Sequence, residues 1–174
     1  MSEIVFKITF IGMLFIYILI RVPFDMKHKH AEKIKAVNAA KERILILLLV
    51  LGLMLVPFLW AFTPFLDNFN IRLPIWVRLF GVALSIFSLF YFWWIHKTLG
   101  TNWSPTLEIR KDHKLIKIGP YKRVRHPMYT QIWIWTIAQV LIVSNIYAGF
   151  SGIIAWGILY FIRVPKEEKM MMEL

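Results

Sequence analysis

Residues 128–162 read MYTQIWIWTIAQVLIVSNIYAGFSGIIAWGILYFI, 35 positions without one Asp, Glu, Lys or Arg. A helix rises about 1.5 Å per residue and a bilayer's hydrocarbon core is about 30 Å thick, so roughly 20 residues make one crossing. The stretch is too long for one span and must turn back on itself. Ser144-Asn145 is its best turn signal. That leaves arms at 128–143 and 146–163, short for spanning helices.

Three more apolar stretches lie upstream. Residues 75–95 contain only Arg78, residues 44–66 contain no charge, and residues 4–24 are interrupted by Lys7 and Arg21. The sequence therefore predicts a single-domain, all-α integral membrane protein with five transmembrane helices, at about 4–24, 44–66, 75–95, 128–143 and 146–163. Polar loops fall at 25–43 and 96–127. Composition agrees: 59% hydrophobic and 18% charged, with mean hydropathy +0.61, exclude a disordered chain and leave too little polar surface for an ordinary soluble domain. The first helix should be retained, because Arg21-Val22-Pro23-Phe24-Asp25 follows it where a signal peptide needs small cleavage-site residues. Pro57 and Pro64 are expected inside the second helix, with a kink there. Trp60, Trp76, Trp93 and Trp94 fall near helix ends, where an aromatic belt would sit.

Lys and Arg number 21 against 10 Asp and Glu, a formal charge of +11. Seven basic residues lie in 21–43, eight in 96–126 and three in 163–174, whereas Arg72 is alone in the 67–74 connection. The positive-inside rule then puts the N-terminus outside, and both basic loops and the C-terminus in the cytoplasm. Orientation and contact with anionic lipid, worth about 1 kcal/mol per basic residue near the surface, account for most of the charge. Nucleic acid is a poor explanation of it. His28 and His30 do not have the spacing of a zinc helix and are flanked by Lys, so no metal site is expected. Residues 27–43 are compatible with an interfacial amphipathic helix on acidic lipid. With no cysteine in the chain, disulfides, thiolate metal sites and cysteine nucleophiles are excluded.

Two polar segments exceed what a simple anchor needs: the loop HKTLGTNWSPTLEIRKDHKLIKIGPYKRVRHPMY at 96–129, and Arg163-Val164-Pro165-Lys166-Glu167-Glu168. On the expected topology both lie at one membrane surface. Gly119-Pro120 reads as a turn, and Arg125-His126-Pro127 as a helix start with proline at the first helical position. The open N–H groups there favour an anion and disfavour an imidazolium, so His126 suits a neutral hydrogen-bonding role. The plainer alternative makes Arg125 and His126 ordinary interfacial residues. Arg163 and Glu167 are one turn apart if the helix continues, a structural i, i+4 pair in the simplest view. That view leaves Glu167-Glu168 unexplained, since paired acids at a helix C-terminal end oppose the dipole. A cationic ligand resolves the mismatch.

The block Gly119-Pro120-Tyr121-Lys122-Arg123-Val124-Arg125-His126-Pro127-Met128-Tyr129, then a hairpin, then Arg163-x-x-x-Glu167-Glu168, resembles the isoprenylcysteine carboxyl methyltransferase family. Leu99-Gly100-Thr101-Asn102-Trp103-Ser104 and the 163–168 string are similar to its short prokaryotic and archaeal five-helix members. The resemblance runs from about residue 75 to the end, and the first two helices join it by topology only. The R-H-P-x-Y element is shared with phospholipid N-methyltransferases, and membrane sterol reductases have a related arrangement. These are the alternative enzyme classes, and a small membrane scaffold is the non-enzymatic one. The resemblance implies an S-adenosylmethionine site facing the cytoplasm, with S-adenosylhomocysteine as product and a lipidated cysteine or similar amphiphile as substrate. By position, cofactor contacts would fall on His113, Lys114, Leu115, Ile116, Tyr121, His126, Pro127, Met128, Tyr129 and Glu167. Arg163 would hold the substrate carboxylate, and Arg163 with Glu167 would form the catalytic pair. The resemblance also implies an F-G-x-x-Y-x-x-Y type segment after the acidic pair. Met170-Met171-Met172-Glu173-Leu174 stands there instead, so either the sequence is shortened or the lid over the cofactor is reduced.

Overall fold

The computed structural model describes residues 3–28, 35–36, 39–100, 108–109 and 116–172, with side chains described over 3–24, 40–100 and 116–169. Its helices follow the apolar stretches: α1 Glu3–His28, α2 Ala39–Val50, α3 Val56–Phe62, α4 Ile75–Leu99, α5 Pro127–Val143 and α6 Ile146–Met172. A π turn, Leu51–Leu55, joins α2 to α3, so the two act as one span. Glu3–Phe24, Ala40–Phe62, Ile75–Leu99 and Ile146–Lys169 are long and apolar enough to cross a bilayer, and α5 is a shorter apolar helix of 17 residues. Lipid-facing side chains such as Ile8, Phe80 and Phe161 are exposed, while Phe10, Phe92, Trp135 and Ile142 form the interior. An apolar outer surface on such helices is what a bilayer requires.

The second span differs from the expected 44–66. It starts at Ala39 because Ala39, Ala40, Lys41, Glu42 and Arg43 all have high helix propensity, with Glu42 in the first turn where an acid is favoured. It stops at Phe62 because Thr63, preceding a proline, takes the extended conformation at φ −132° and ψ 156°. Pro64 therefore opens a 3-10 turn, Pro64–Phe69, outside the helix. Pro57 does perturb the span. The Val56 N–H bonds back five residues to the Leu51 carbonyl, and the next bond in that register would need an N–H from proline. The Gly52 carbonyl instead accepts from Gln139 Nε2 of α5 at 3.1 Å and Ser151 Oγ of α6 at 2.7 Å. Only glycine fits there: a Cβ would lie 2.5 Å from the Ser151 carbonyl oxygen and 2.8 Å from Ala155 Cβ.

Other ends also move. α1 runs to His28, α4 to Leu99 with Lys97 in its last turn, and α6 well past residue 163. Cations in a last turn complement the helix dipole, so charge does not end a helix there. The two basic loops are correspondingly shorter than expected. One small departure from an all-helical chain joins them: Lys35–Ala36 pairs antiparallel with Glu108–Ile109. Residues 27–43 are thus not one interfacial helix, and the side chains of His28 and His30 lie outside the described residues. Trp60 is fully buried against Phe10 and does not belong to a belt, whereas Trp76 is 70% exposed.

α5 and α6 meet at Ser144-Asn145. Ser144 takes the left-handed conformation at φ 51°. Asn145 caps α6 by accepting from the Ala148 N–H at 3.1 Å, and donates to the Leu66 carbonyl at 2.7 Å and Asn70 Oδ1 at 2.8 Å. This fastens the hairpin to the connection between α3 and α4 at the end of the bundle opposite the basic loops.

Candidate active site

Pro127 is the first residue of α5, and His126 precedes it with no side-chain capping bond. Proline loses nothing in that position, and the first N–H groups of a helix have no acceptor inside it. α6 continues through Pro165, so Arg163 and Glu167, four residues apart, share one of its faces. These two helix ends come together. The Tyr129 hydroxyl donates to Glu167 Oε2. The His126 ring stacks on Tyr129 with centroids 5.2 Å apart and planes 9° from parallel, and its Nε2 lies 3.6 Å from Glu168 Oε1. That nitrogen is buried and makes no hydrogen bond among the described residues.

The opposite side of Tyr129 is apolar. Its ring meets Trp156 and Tyr160 edge-on at 5.3 and 6.0 Å, and Trp133 packs behind them. Tyr121 approaches from the 3-10 turn Gly119–Lys122. Burial raises its hydroxyl pKa well above 10.0, and the nearby Glu167 carboxylate and Tyr91 raise it further. Tyr121 is therefore a neutral phenol.

Arg163 Nη1 lies 3.8 Å from Glu42 Oε2, and both side chains are about nine-tenths buried. Glu42 belongs to no motif that marks it in the sequence. The available signal was its place, the last acid before the uncharged run 44–66. Here it forms an ion pair between the first turn of α2 and the far part of α6.

Of the expected site residues, Tyr121, His126, Tyr129, Arg163 and Glu167 gather at this end of the bundle. Pro127 is buried there and Met128 packs between the two core clusters. Ile116 is half-buried on the approach to the 3-10 turn. His113, Lys114 and Leu115 lie outside the described residues. The cluster offers a guanidinium, three carboxylates, an imidazole and two phenols beside an aromatic wall. It can bind a ligand that carries both charge signs.

The fold and this cluster define a multi-pass helical membrane protein with a polar site at one end of its bundle. The model of the isoprenylcysteine carboxyl methyltransferase (ICMT) family matches residues 81–173, and the chain belongs to that family. It is 29% identical over 96 residues to protein-S-isoprenylcysteine O-methyltransferase B of Arabidopsis thaliana, covering 53% of this chain and 48% of that protein. It is 26% identical over 102 residues to the uncharacterized protein YpbQ of Bacillus subtilis (strain 168), covering 56% of this chain and 57% of that protein. The chain thus spans about half the length of the curated relatives it matches.

Proposed function

We propose that this chain is an S-adenosylmethionine-dependent methyltransferase that esterifies the carboxylate of a prenylcysteine or similar amphiphile at the membrane surface. What carries the proposal is the placement of Arg163, one turn before Glu167 on α6, near Tyr129, whose hydroxyl donates to Glu167, in a chain of this family. Five spans, with α5 as the short one, an N-terminus outside and the site in the cytoplasm complete the topology. The gathering of both basic loops at the end that holds the cluster supports it.

The residues fit the cofactor. Its methionyl end carries an ammonium and a carboxylate. Glu167 would take the ammonium, and the N-terminus of α5 with Tyr129 would take the carboxylate. The buried Nε2 of His126, which makes no hydrogen bond among the described residues, is a polar atom that a bound ligand would satisfy. The ring of Tyr121 suits a sulfonium, and its raised pKa keeps it neutral. S-Adenosylmethionine, when bound, supplies an electrophilic methyl group.

The chain's own residues align and shield. A carboxylate acceptor is already ionised near pH 7, so no general base is needed, and catalysis rests on orientation and exclusion of water. Arg163 holds the acceptor's carboxylate by charge-assisted hydrogen bonds. Trp133, Trp156 and Tyr160 form the apolar side, and the lipid chain enters sideways from the bilayer. An amine acceptor would instead have to lose a proton, giving Glu167 or Glu168 a base role.

The test uses the purified chain in detergent with radiolabelled S-adenosylmethionine. The expected results are saturable binding and a base-labile methyl ester on N-acetyl-S-farnesylcysteine. Methylation of phosphatidylethanolamine in its place would establish the N-methyltransferase alternative, and absence of saturable binding would overturn both.

A further inference from the structure

The last turns of α4 carry an aromatic and basic face that the proposed reaction does not use. Phe90, Trp93, Trp94, Lys97 and Thr98 line an open cavity of about 530 Å³ there. Steps of three and four residues put Phe90, Trp93, Trp94 and Lys97 on one side of the helix. Phe90, Trp93 and Trp94 are 58, 42 and 40% exposed, and Lys97 is exposed as well. On a spanning helix such a side faces lipid at the level of the headgroups.

An aromatic belt closed by a cation that suits the helix dipole explains where each residue stands. It leaves their donors unanswered. Lys97 Nζ lies over the Trp93 ring, 4.9 Å from its centroid, so that π face is already taken by a cation. What the two indoles still offer is their N–H edges. Among the described residues, neither N–H meets an acceptor and Lys97 meets no carboxylate. The Thr98 hydroxyl is committed to the Trp94 carbonyl at 2.9 Å. The groups left open are an ammonium and two indole N–H groups, all of them donors, and no acid stands among the lining side chains.

Donors without acceptors, set at the edge of an apolar wall, select an anion that carries hydrocarbon. A free phosphate would satisfy the donors and leave Phe90 and the indole rings without a partner. A zwitterionic lipid would bring an ammonium of its own, which finds Lys97 in place of a carboxylate and the Trp93 face occupied. An anionic phospholipid meets both halves of the face.

We propose that this face binds one anionic phospholipid, with its phosphate on Lys97 and the indole N–H groups of Trp93 and Trp94 and an acyl chain along Phe90. The site borders the candidate active site without belonging to it. The Gly119–Lys122 turn packs on its rim, where a Cβ at Gly119 would lie 2.8 Å from Thr98 Oγ1 and 3.5 Å from Trp94 Nε1. Occupancy requires no methyl donor and no methyl acceptor.

The experiment is native mass spectrometry of the full chain in detergent, titrated with dioleoylphosphatidylglycerol or dioleoylphosphatidylcholine. Wild type is compared with Lys97→Gln, Trp93→Phe and Lys41→Gln. Lys41→Gln removes the same charge from an exposed position in the first turn of α2, at the same end of the bundle. Wild type is expected to bind a first phosphatidylglycerol about fivefold more tightly than phosphatidylcholine, the weight of one basic residue at an anionic surface. Lys97→Gln should abolish that preference. Trp93→Phe keeps the ring and loses one donor, and should lower the preference about twofold. Lys41→Gln should leave it unchanged. Equal losses in Lys97→Gln and Lys41→Gln would mean diffuse attraction to the net charge and overturn the proposal. So would a wild type without preference, or a preference undiminished in Lys97→Gln or Trp93→Phe. Displacement of the bound lipid by inorganic phosphate would also overturn it, in favour of a simple ion site.

Discussion

The two ends of the bundle carry the same kinds of charged side chain and use them differently. At the Ser144-Asn145 end, Arg78 binds Glu3 through both terminal nitrogens. Its Nε and Nη2 also donate to the Ile142 carbonyl at 3.1 and 2.7 Å, and the guanidinium lies 3.7 Å from the centroid of the Phe6 ring. One side chain thereby ties α1 and α4 to a carbonyl that the last turn of α5 cannot satisfy itself. At the other end Tyr129 donates to Glu167 Oε2, while Arg163–Glu42 and His126–Glu168 lie 3.8 and 3.6 Å apart, and Glu42 Oε2 and His126 Nε2 make no hydrogen bond among the described residues. In a membrane bundle, charge met by close hydrogen bonds within the chain holds structure, and buried polar atoms left without one mark a place for a ligand.

Exchanging single residues between these roles puts the contrast to the test. The largest effect is expected from Glu167→Gln, which should weaken S-adenosylmethionine binding by about a hundredfold or more, as measured by equilibrium binding, because it removes the charge that faces the ammonium. Arg163→Ala comes next. It should lower kcat/KM for a carboxylate acceptor by about a hundredfold, with donor affinity kept, since removing one partner of a buried hydrogen-bonded charge pair costs about 2–5 kcal/mol. Arg78→Ala should behave in the opposite way, losing about 3 kcal/mol of stability in a denaturation assay with ligand affinity intact. A fall in S-adenosylmethionine affinity in that variant would erase the distinction between the two ends.

Smaller effects follow. Asn145→Ala removes a helix cap and two donors, and should cost about 1–2 kcal/mol by the same denaturation assay. Tyr121→Phe gives the smallest change, visible only in alkali. The folded-state pKa of Tyr121 is raised, so the associated stability is fully present below the unfolded value of 10.0 and declines as pH rises through the folded value. The phenylalanine variant should show a shallower loss of stability above pH 10.0, and parallel behaviour below it.

Much of this was legible locally. Uninterrupted apolar length located the long helices, Pro127 marked the start of α5, and four-residue spacing put Arg163 and Glu167 on one face once α6 continued. Features that depend on distant partners were not legible. Glu42 pairs with a residue from the other end of the sequence, and no periodicity points to it. Trp60 lies near the end of its span and reads as interfacial, until Phe10 is seen packed on it and Lys7 over its ring. Pro64 follows 20 uncharged residues and reads as helical, although the residue before a proline resists helical angles.

The bond that Pro57 withholds couples four positions. Positions 52, 57, 139 and 151 form one packed unit: proline frees a carbonyl, glycine lets the neighbouring helices approach it, and Gln139 with Ser151 answers it. With an N–H at position 57 the Gly52 carbonyl would have its own helix partner, and Gln139 Nε2 would keep its 2.8 Å bond to the Ala148 carbonyl. A chain that keeps the proline but loses both donors strands a carbonyl in the membrane interior. The packing at these four positions is thus a constraint set by the membrane interior, independent of the cluster at the other end of the bundle.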